Sequence, residues 1–282
     1  MPTMTGARFL AETVHGYGLT HVFFMPYIAP RALMEMESLG IKRVQTHGEK
    51  AAAYMADGYA RVKRAPSLCM AQSVGAVNLA AGLQDAYLAC SPVLAITGRE
   101  IQNHQQRHAY QEVDHAGPFG AVTKYSALVT SADQLPQTFR QAIRVATTGT
   151  PGPVHLDLDG YTGHAVVDVE AALDVIVEQP FTQVPPFRPT ADDESIAAAL
   201  ALLAQAKRLV IVAGSGVTTF RRAGRVDRTG GLSIPVAALN ADQCFPPIMS
   251  WLWAHRVPDT RACANQVLCE ADLVFFISIL AA

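Results

Sequence analysis

The chain has 282 residues, of which half are apolar and 16% are charged, so it is long and apolar enough for two domains with separate cores. Its formal net charge of -2 argues against a nucleic-acid surface and against an anionic membrane surface. We expect no signal peptide, because the N-terminal residues lack a basic flank followed by an apolar run. We expect no membrane span either, because no apolar run reaches about 20 residues. An odd count of five cysteines without a C-x-x-C pair favours reduced thiols in a cytoplasmic protein.

Helix-like and strand-like stretches alternate along residues 1–163, which we predict to be one domain. The links are short, apart from a polar and irregular stretch at 99–120. This order is typical of a doubly wound parallel sheet, an α/β fold in which ligands meet the carboxyl ends of the strands. The predicted helices cover 6–17, 30–39, a segment from Glu49, 77–89 and 132–147, and the predicted strands cover 21–25, 42–46, 66–72, 92–98, 122–129 and 153–159.

The composition changes at residues 164–190, where a stretch with four prolines predicts an interdomain linker. Residues 191–282 then predict a second α/β unit, which opens with a helix whose first residues are acidic. Two of its segments resist assignment, because 220–231 lacks the apolar spacing of a packed helix and 244–259 follows no regular pattern. Since the chain stops directly after a strand of the buried type, we expect this second domain to be incomplete.

One helix start raises a functional question. In THGEKAAAYMADGYAR (46–61), a loop glycine leads into a helix of small, buriable residues whose first turn carries a single carboxylate, Glu49. The positive end of the helix dipole favours an acid at this place on any helix. A catalytic carboxyl would also stand here, beyond the carboxyl ends of parallel strands. Position alone favours the first interpretation.

Five stretches, in chain order, carry a family resemblance: THGEKAAAYMADGYAR, AQSVGAVNLAAGLQDAYLACSPVLAITG, YQEVDH, TKYS and TGTPGPVHLDL. Together they resemble the acetolactate synthase-like family of thiamine diphosphate enzymes, and residues 191–282 resemble the family's middle domain. The resemblance implies a pyrimidine-binding domain at 1–163, a partial middle domain and a third, pyrophosphate-binding domain. The Gly-Asp-Gly…Asn pattern of that third domain does not occur in this sequence.

The resemblance also implies site residues. Glu49 matches the carboxyl that hydrogen-bonds N1′ of the cofactor's pyrimidine ring, and we expect the apolar helix behind it to desolvate it. The turn before Asn78 matches a segment whose backbone packs beside that ring, although Gly75 would serve equally in a merely tight bend. Gln111 matches a position facing the active site, and without the family it would count as a polar loop residue. The implied cofactor-binding residues are Pro26, Ser73, Gly75, Asn78 and Gln111.

The implied activity is that of a carboligase or decarboxylase acting on 2-oxo acids, with a small-molecule substrate. Where the family reads Val-Pro-Gly-Gly, this chain reads Met25-Pro26-Tyr27-Ile28, and the bulky Tyr27 argues against acetolactate synthesis in particular. The chain would hold thiamine diphosphate by its pyrimidine half, and Mg²⁺ is expected only with a partner chain that carries the pyrophosphate domain. We therefore expect the chain alone to be inactive in thiamine chemistry. A catalytically silent relic of such an enzyme is the alternative.

The apolar character of helices 49–62 and 77–89 predicts that the chain forms a homodimer through them. Ten residues carry this prediction, because they are apolar on more than one helix face. They are Ala51, Ala52, Ala53, Met55 and Ala56 in the first helix, and Leu79, Ala80, Leu83, Ala86 and Leu88 in the second.

Two further motifs offer other functions. His104 and His108 in HQQRH have the spacing of a helical zinc site, but their polar surroundings favour a solvated loop. AQSVG (71–75) fits the A-x-S-x-G form of a hydrolase nucleophile turn. Ser73 would then be a nucleophile with His104, His108 or His115 as its base. An esterase or other hydrolase is therefore kept as an alternative.

Overall fold

The computed structural model describes residues 2–214, 216–219, 234–238, 252–255 and 262–277. The chain divides into two compact units, Met1–Phe187 and Arg188–Ala282, while the domain boundaries drawn from the sequence stay predictions. Among the described helices, none is long and apolar enough to cross a bilayer.

Strands and helices alternate through the first unit, as the sequence predicts. They are β1 (Thr3–Thr5), α1 (Gly6–Gly16), β2 (His21–Phe24), α2 (Pro30–Ser38), β3 (Lys42–Gln45), α3 (Glu49–Lys63), β4 (Ser67–Ala71), α4 (Ala76–Leu88), β5 (Val93–Arg99), α5 (Ala116–Val122), β6 (Tyr125–Val129), α6 (Leu135–Thr147), β7 (Val154–Asp159), α7 (His164–Val167) and β8 (Glu170–Ala172).

Six of these strands form one parallel sheet in the order β3-β2-β4-β5-β7-β6, so the predicted doubly wound α/β fold is confirmed. The central strands β4 and β7 are buried along their whole length, because helices cover both faces of the sheet. The stretch expected to be irregular contains α5. Val122 ends that helix and does not begin β6, because Phe119 and Val122 lie one turn apart on its buried face.

The helices form one layer on each face of the sheet. On one side α1, α2 and α6 bury large apolar side chains, and α6 presents Leu135, Phe139 and Ile143 at helical spacing. On the other side α3 and α4 pack through small residues. A Cβ at Gly82 of α4 would lie 2.7 Å from the Cβ of Ala53 and 2.8 Å from the carbonyl oxygen of Lys50. This close approach brings the N-termini of α3 and α4 together.

The segment predicted as a linker, 164–190, lies mostly within the first compact unit. It begins with α7, where Val166 and Val167 are buried, and β8 then pairs antiparallel with β1. A Cβ at Gly6 would lie only 2.4 Å from the carbonyl oxygen of Val166, so this segment packs tightly against the start of α1. The prolines of the segment therefore coexist with regular structure and core contacts.

The second unit carries a four-stranded parallel sheet, as the sequence predicts for an α/β domain. Its described elements are α8 (Asp193–Gln205), β9 (Leu209–Ala213), α9 (Gly216–Thr219), β10 (Val236–Ala238), β11 (Leu252–His255), α10 (Ala262–Glu270) and β12 (Leu273–Ile277). The strand order is β11-β10-β9-β12. The segment 220–231 lies outside the described residues, and within 244–259 only β11 is described.

Candidate functional site

The carboxylate of Glu49 stands where α3 and α4 meet. Gly48 precedes it in extended conformation and has no side chain with which to cap the helix. The Glu49 carboxylate accepts a hydrogen bond of 3.3 Å from Nδ2 of Asn78, in the first turn of α4. Glu49 is half-buried, so the helix behind it shields it in part from water. The structure thus brings together two site residues that lie 29 positions apart in the chain.

Gly75 provides the space that the Glu49 carboxylate occupies. A Cβ at position 75 would lie 2.4 Å from Oε1 of Glu49 and 2.8 Å from its Cδ, which is closer than real atoms approach. The backbone of Gly75 has φ -70° and ψ -17°, a conformation open to any residue. The backbone angles at Gly75 therefore do not require glycine, whereas the close approach of the Glu49 side chain favours it, and the packing of this turn beside a cofactor ring stays a prediction.

Ser73 ties the same turn to two loops. It is fully buried, its hydroxyl donates to the carbonyl oxygen of Gln111, and its amide donates to the carbonyl oxygen of Tyr161 at 3.3 Å. Nε2 of His115 lies 2.9 Å from the carbonyl oxygen of Ser73 and so contacts the backbone of the serine. The hydrolase alternative needs a histidine that takes the hydroxyl proton, and this arrangement gives that proton to Gln111.

Gln111 lies in a loop with several unusual backbone angles. Its φ is 61°, in the left-handed region, and the φ angles of Gln106 and His108 lie in the same region. Glu112 holds this loop by accepting from the amides of Gln106 and Ala109, and the bond from Gln106 in particular lowers the pKa of Glu112. The Oε1 atom of Gln111 is buried and has no hydrogen-bond partner among the described residues. A buried acceptor of this kind fits a ligand that brings a donor.

Pro26 and the histidines of HQQRH have no described contact with Glu49. Pro26 is half-buried in the loop after β2, at the carboxyl edge of the sheet, and the next residue, Tyr27, is 76% exposed with φ 70°. His104 lies in a short 3-10 turn and its Nδ1 is 2.9 Å from Oε1 of Glu100. His108 lies near an open cavity of about 540 Å³ whose lining residues are Gln106, His108, Ala109, Glu112 and Asp114. That lining does not include Glu49, so the cavity and the carboxylate are separate features.

A buried polar network lies beneath the turn, and the sequence reasoning missed it. His115 Nδ1 is 3.0 Å from Oδ1 of Asp157, and the hydroxyl of Thr97 donates to the same oxygen at 2.7 Å. Thr97 Oγ1 is also 2.7 Å from Nε2 of His155, whose Nδ1 is 2.8 Å from the hydroxyl of Ser126. The signal was present in VHLDLD, where His155 and Asp157 alternate with apolar residues in a strand with both faces covered.

Burial and pairing set the charges in this network. Burial lowers the pKa of His155 to about 3, so this imidazole is neutral, and the ring of Phe119 stacks on it at 3.5 Å. Burial alone would raise the pKa of Asp157, but the hydrogen bond from His115 and the nearby imidazoles outweigh it and lower that pKa. Asp157 is therefore a carboxylate, with Nη1 of Arg99 4.0 Å from its Oδ2.

The same three side chains have the spacing of metal ligands. Ligand atoms of His115, His155 and Asp157 all lie within 4.8 Å of one another. However, the hydroxyl of Thr97 lies between Asp157 and His155 at hydrogen-bond distance from both. Hydrogen bonds thus account for the close approach of these groups without an ion.

Comparison with known proteins points to one family. Residues 4–117 match the family described as thiamine pyrophosphate enzyme, N-terminal TPP binding domain. A probable acetolactate synthase large subunit of Methanocaldococcus jannaschii is 32% identical over 97% of this chain and 47% of its own length. Isozyme 1 of the acetolactate synthase large subunit of Escherichia coli is 32% identical over 96% of this chain and 47% of its own length. An acetolactate synthase of Arthrospira platensis is 33% identical over 98% of this chain and 49% of its own length. The chain therefore spans about half the length of these relatives.

Proposed function

The chain belongs to the acetolactate synthase-like family of thiamine diphosphate enzymes, and we propose that it binds the pyrimidine half of that cofactor through Glu49. The observation that carries the proposal is the close approach of the Glu49 carboxylate to Gly75, where a side chain would require that carboxylate to move. A carboxylate held this way is set to hydrogen-bond a ligand, because Asn78 engages only one of its oxygens.

The residues of the site fit an aminopyrimidine ring. Such a ring has nitrogen acceptors and an exocyclic amino donor. The proposed site offers the Glu49 carboxyl, the amide of Asn78 and Oε1 of Gln111, which has no partner among the residues that the structure describes. When bound, the cofactor supplies the carbon chemistry of 2-oxo acid decarboxylation and ligation. Glu49 would hold a proton at a ring nitrogen, while Ser73 and Gly75 keep the adjoining turn in place. The half-buried setting of Glu49 limits the access of water to that proton.

We propose that the remaining half of the cofactor site comes from a partner chain. In this proposal the diphosphate and its Mg²⁺ are held by a pyrophosphate domain, the third domain that the family resemblance implies. The proposed substrate class is 2-oxo acids. Tyr27 is exposed in the loop after β2, and its bulk would restrict which 2-oxo acids fit. A cytoplasmic location is part of the same proposal and rests on the cysteine content.

The homodimer remains a proposal, and the structure changes its basis. Seven of the ten apolar residues that predicted it are buried inside the first unit, since α3 and α4 pack there on each other and on the sheet. The exposed apolar residues of the same helices, which include Met55 and Leu88 of the original ten, supply the surface for a two-fold contact. That set is Tyr54, Met55, Val62, Val77, Tyr87 and Leu88. Light scattering at micromolar concentration checks the proposal, and a clean monomer would contradict it.

The decisive test replaces the carboxyl by its closest amide. With a partner chain that supplies the pyrophosphate domain, we expect Glu49→Gln to lower 2-oxo acid turnover by about a hundredfold or more, the scale of a proton-transferring group. The fold should be unchanged, as judged by circular dichroism.

Asp193→Asn is the matched control, because Asp193 also lies in the first turn of a helix. Equal turnover of Glu49→Gln and Asp193→Asn would refute the role of Glu49. No turnover with any partner, together with tight cofactor binding, would favour the silent relic.

A further inference from the structure

His115 has an environment that fixes its protonation. It is 1% exposed, its Nδ1 faces the carboxylate of Asp157, and its Nε2 faces the carbonyl oxygen of Ser73. An ionised carboxylate and a carbonyl oxygen only accept hydrogen bonds, whereas a neutral imidazole has one donor nitrogen and one acceptor nitrogen. Both contacts are satisfied only when both ring nitrogens carry hydrogen, which makes His115 an imidazolium paired with Asp157.

The neighbouring groups agree with this assignment. Because the Thr97 hydroxyl donates to Asp157, neutral His155 donates from Nε2 to Thr97 and accepts from Ser126 at Nδ1, so Asp157 acts as an acceptor in this chain of bonds. Arg99 on β5 is a further charged group that faces the His115–Asp157 pair. Asp159 lies two positions after Asp157 on β7. On the side of α5, the uncharged ring of Phe119 faces the His115–Asp157 pair, and its centroid lies 6.1 Å from the centroid of the His115 ring. From the turn it meets the Ser73 carbonyl.

We propose that His115 is a positioning residue for Glu49, acting as an imidazolium that holds the turn 73–75 through the carbonyl of Ser73. Two residues further on, Gly75 contacts the Glu49 carboxylate, so a shift of the turn moves the surface on which that carboxylate rests. The network therefore links the buried ends of β5 and β7 to the carboxyl proposed to bind the pyrimidine ring. The link to cofactor binding rests on the proposed function, whereas the protonation of His115 does not.

Nitrogen NMR of the full chain, labelled with ¹⁵N in histidine, tests the protonation directly. We expect both nitrogens of His115 to carry hydrogen at pH 7, while His155 shows one protonated nitrogen, Nε2, across pH 5 to 8. A His115 that is neutral at pH 7 in the wild type would overturn the proposal.

Binding of thiamine diphosphate, measured by titration calorimetry on the full chain, tests the positioning. We expect His115→Gln to weaken binding about tenfold, the ratio that corresponds to about 1.4 kcal/mol. The control His15→Gln removes an exposed histidine of α1 and should leave binding unchanged. His115→Gln should also shift the amide signals of Gly75 and Asn78, whereas His15→Gln should leave them unchanged. A histidine that does not act through the turn would give no such shift.

Three outcomes distinguish a failure of the positioning role of His115 from a failure of the proposed function. If the wild-type chain does not bind the cofactor, the proposed function fails, and the amide signals of Gly75 and Asn78 then decide. They should shift in His115→Gln, and an unchanged turn would overturn the positioning role. If His115→Gln does not fold, Asp157→Asn, which removes the carboxylate facing Nδ1 of His115, carries the decision through the same amide signals. If added Zn²⁺ binds tightly and changes the signals of His115 and His155 together, the cluster is a metal site and the proposal is wrong.

Discussion

In the part of the chain that the structure describes, helices α3 and α8 both have carboxylates at their start, and they use them differently. In α8 of the second unit, Asp192 accepts from the backbone amide of Ser195 at 2.7 Å and from its hydroxyl at 2.8 Å. These bonds, the backbone one first, lower the pKa of Asp192, as for any capping carboxylate. In α3 of the first unit, the carboxylate of Glu49 instead contacts Asn78 and Gly75 of the neighbouring α4 and its turn.

The difference teaches how to tell a capping acid from a site acid. A capping carboxylate satisfies the amides of its own helix, so its contacts lie within three or four residues of it. The contacts of Glu49 lie 26 and 29 positions away along the chain, and one of them is a glycine whose missing side chain makes the room. Space reserved by a second element indicates that the carboxylate itself is being positioned.

The strongest way to break this comparison is to fill the space. We expect Gly75→Ala to push the Glu49 carboxylate aside and to weaken thiamine diphosphate binding more than tenfold, since the added Cβ would lie 2.4 Å from Oε1. The fold should persist, because the backbone at 75 suits alanine. Titration calorimetry measures the effect.

Gly58→Ala provides the matched control. Gly58 also lies in a helix, α3, and a Cβ there would meet nothing within 4 Å. This change should leave binding intact and stabilise the helix by about 0.5–1 kcal/mol. Equal binding by both alanine variants would show that Glu49 does not need the space at Gly75.

A second prediction sharpens the comparison by titrating the polar network beneath the turn 73–75. His155 has its pKa lowered from 6.5 to about 3 in the folded chain, so between these values the unfolded chain binds a proton that the folded chain does not. The contribution of neutral His155 to the free energy of unfolding is fully present above pH 6.5. It is lost as the pH falls towards 3, at about 1.4 kcal/mol per pH unit. From pH 7 to pH 5 the first unit should lose about 2 kcal/mol.

Amide hydrogen exchange of the central strands β4 and β7 at the two pH values measures that loss. The lowered pKa of Asp157 acts in the same direction, but at lower pH. His155→Gln should flatten the slope, whereas His15→Gln should retain it. A first unit equally stable at pH 7 and pH 5 would contradict the assignment of a buried neutral His155.

The smallest predicted effect concerns the capping acid. Asp192→Ala removes the acceptor for the amide of Ser195 and should lower the local stability of the first turn of α8. Exchange of the first amides of α8 should accelerate, and cofactor binding should stay the same. If instead Asp192→Ala weakened cofactor binding as Gly75→Ala does, the distinction between the two acids would be lost.

Much of the fold was predictable because its signals are local. The apolar runs of β4 and β5 and the spacing of Leu135, Phe139 and Ile143 in α6 depend on residues a few positions apart. Helix α5 was missed, because its stretch AGPFGAV has two glycines and a proline that read as a loop. The structure of 164–187 was missed too, because its prolines outweighed the buried pair in α7.

The sequence by itself determined the parallel α/β sheet, the family and the place of Glu49 at a helix start, since each follows from a short pattern or from ordered motifs. Only the tertiary structure decided what the carboxylate touches. The bond from Asn78 to Glu49, the space at Gly75 and the contact from His115 to Ser73 join residues 26 to 42 positions apart. Such contacts depend on which strands become neighbours and how closely two helices approach. No local periodicity encodes either, because both are set by the packing of the whole unit.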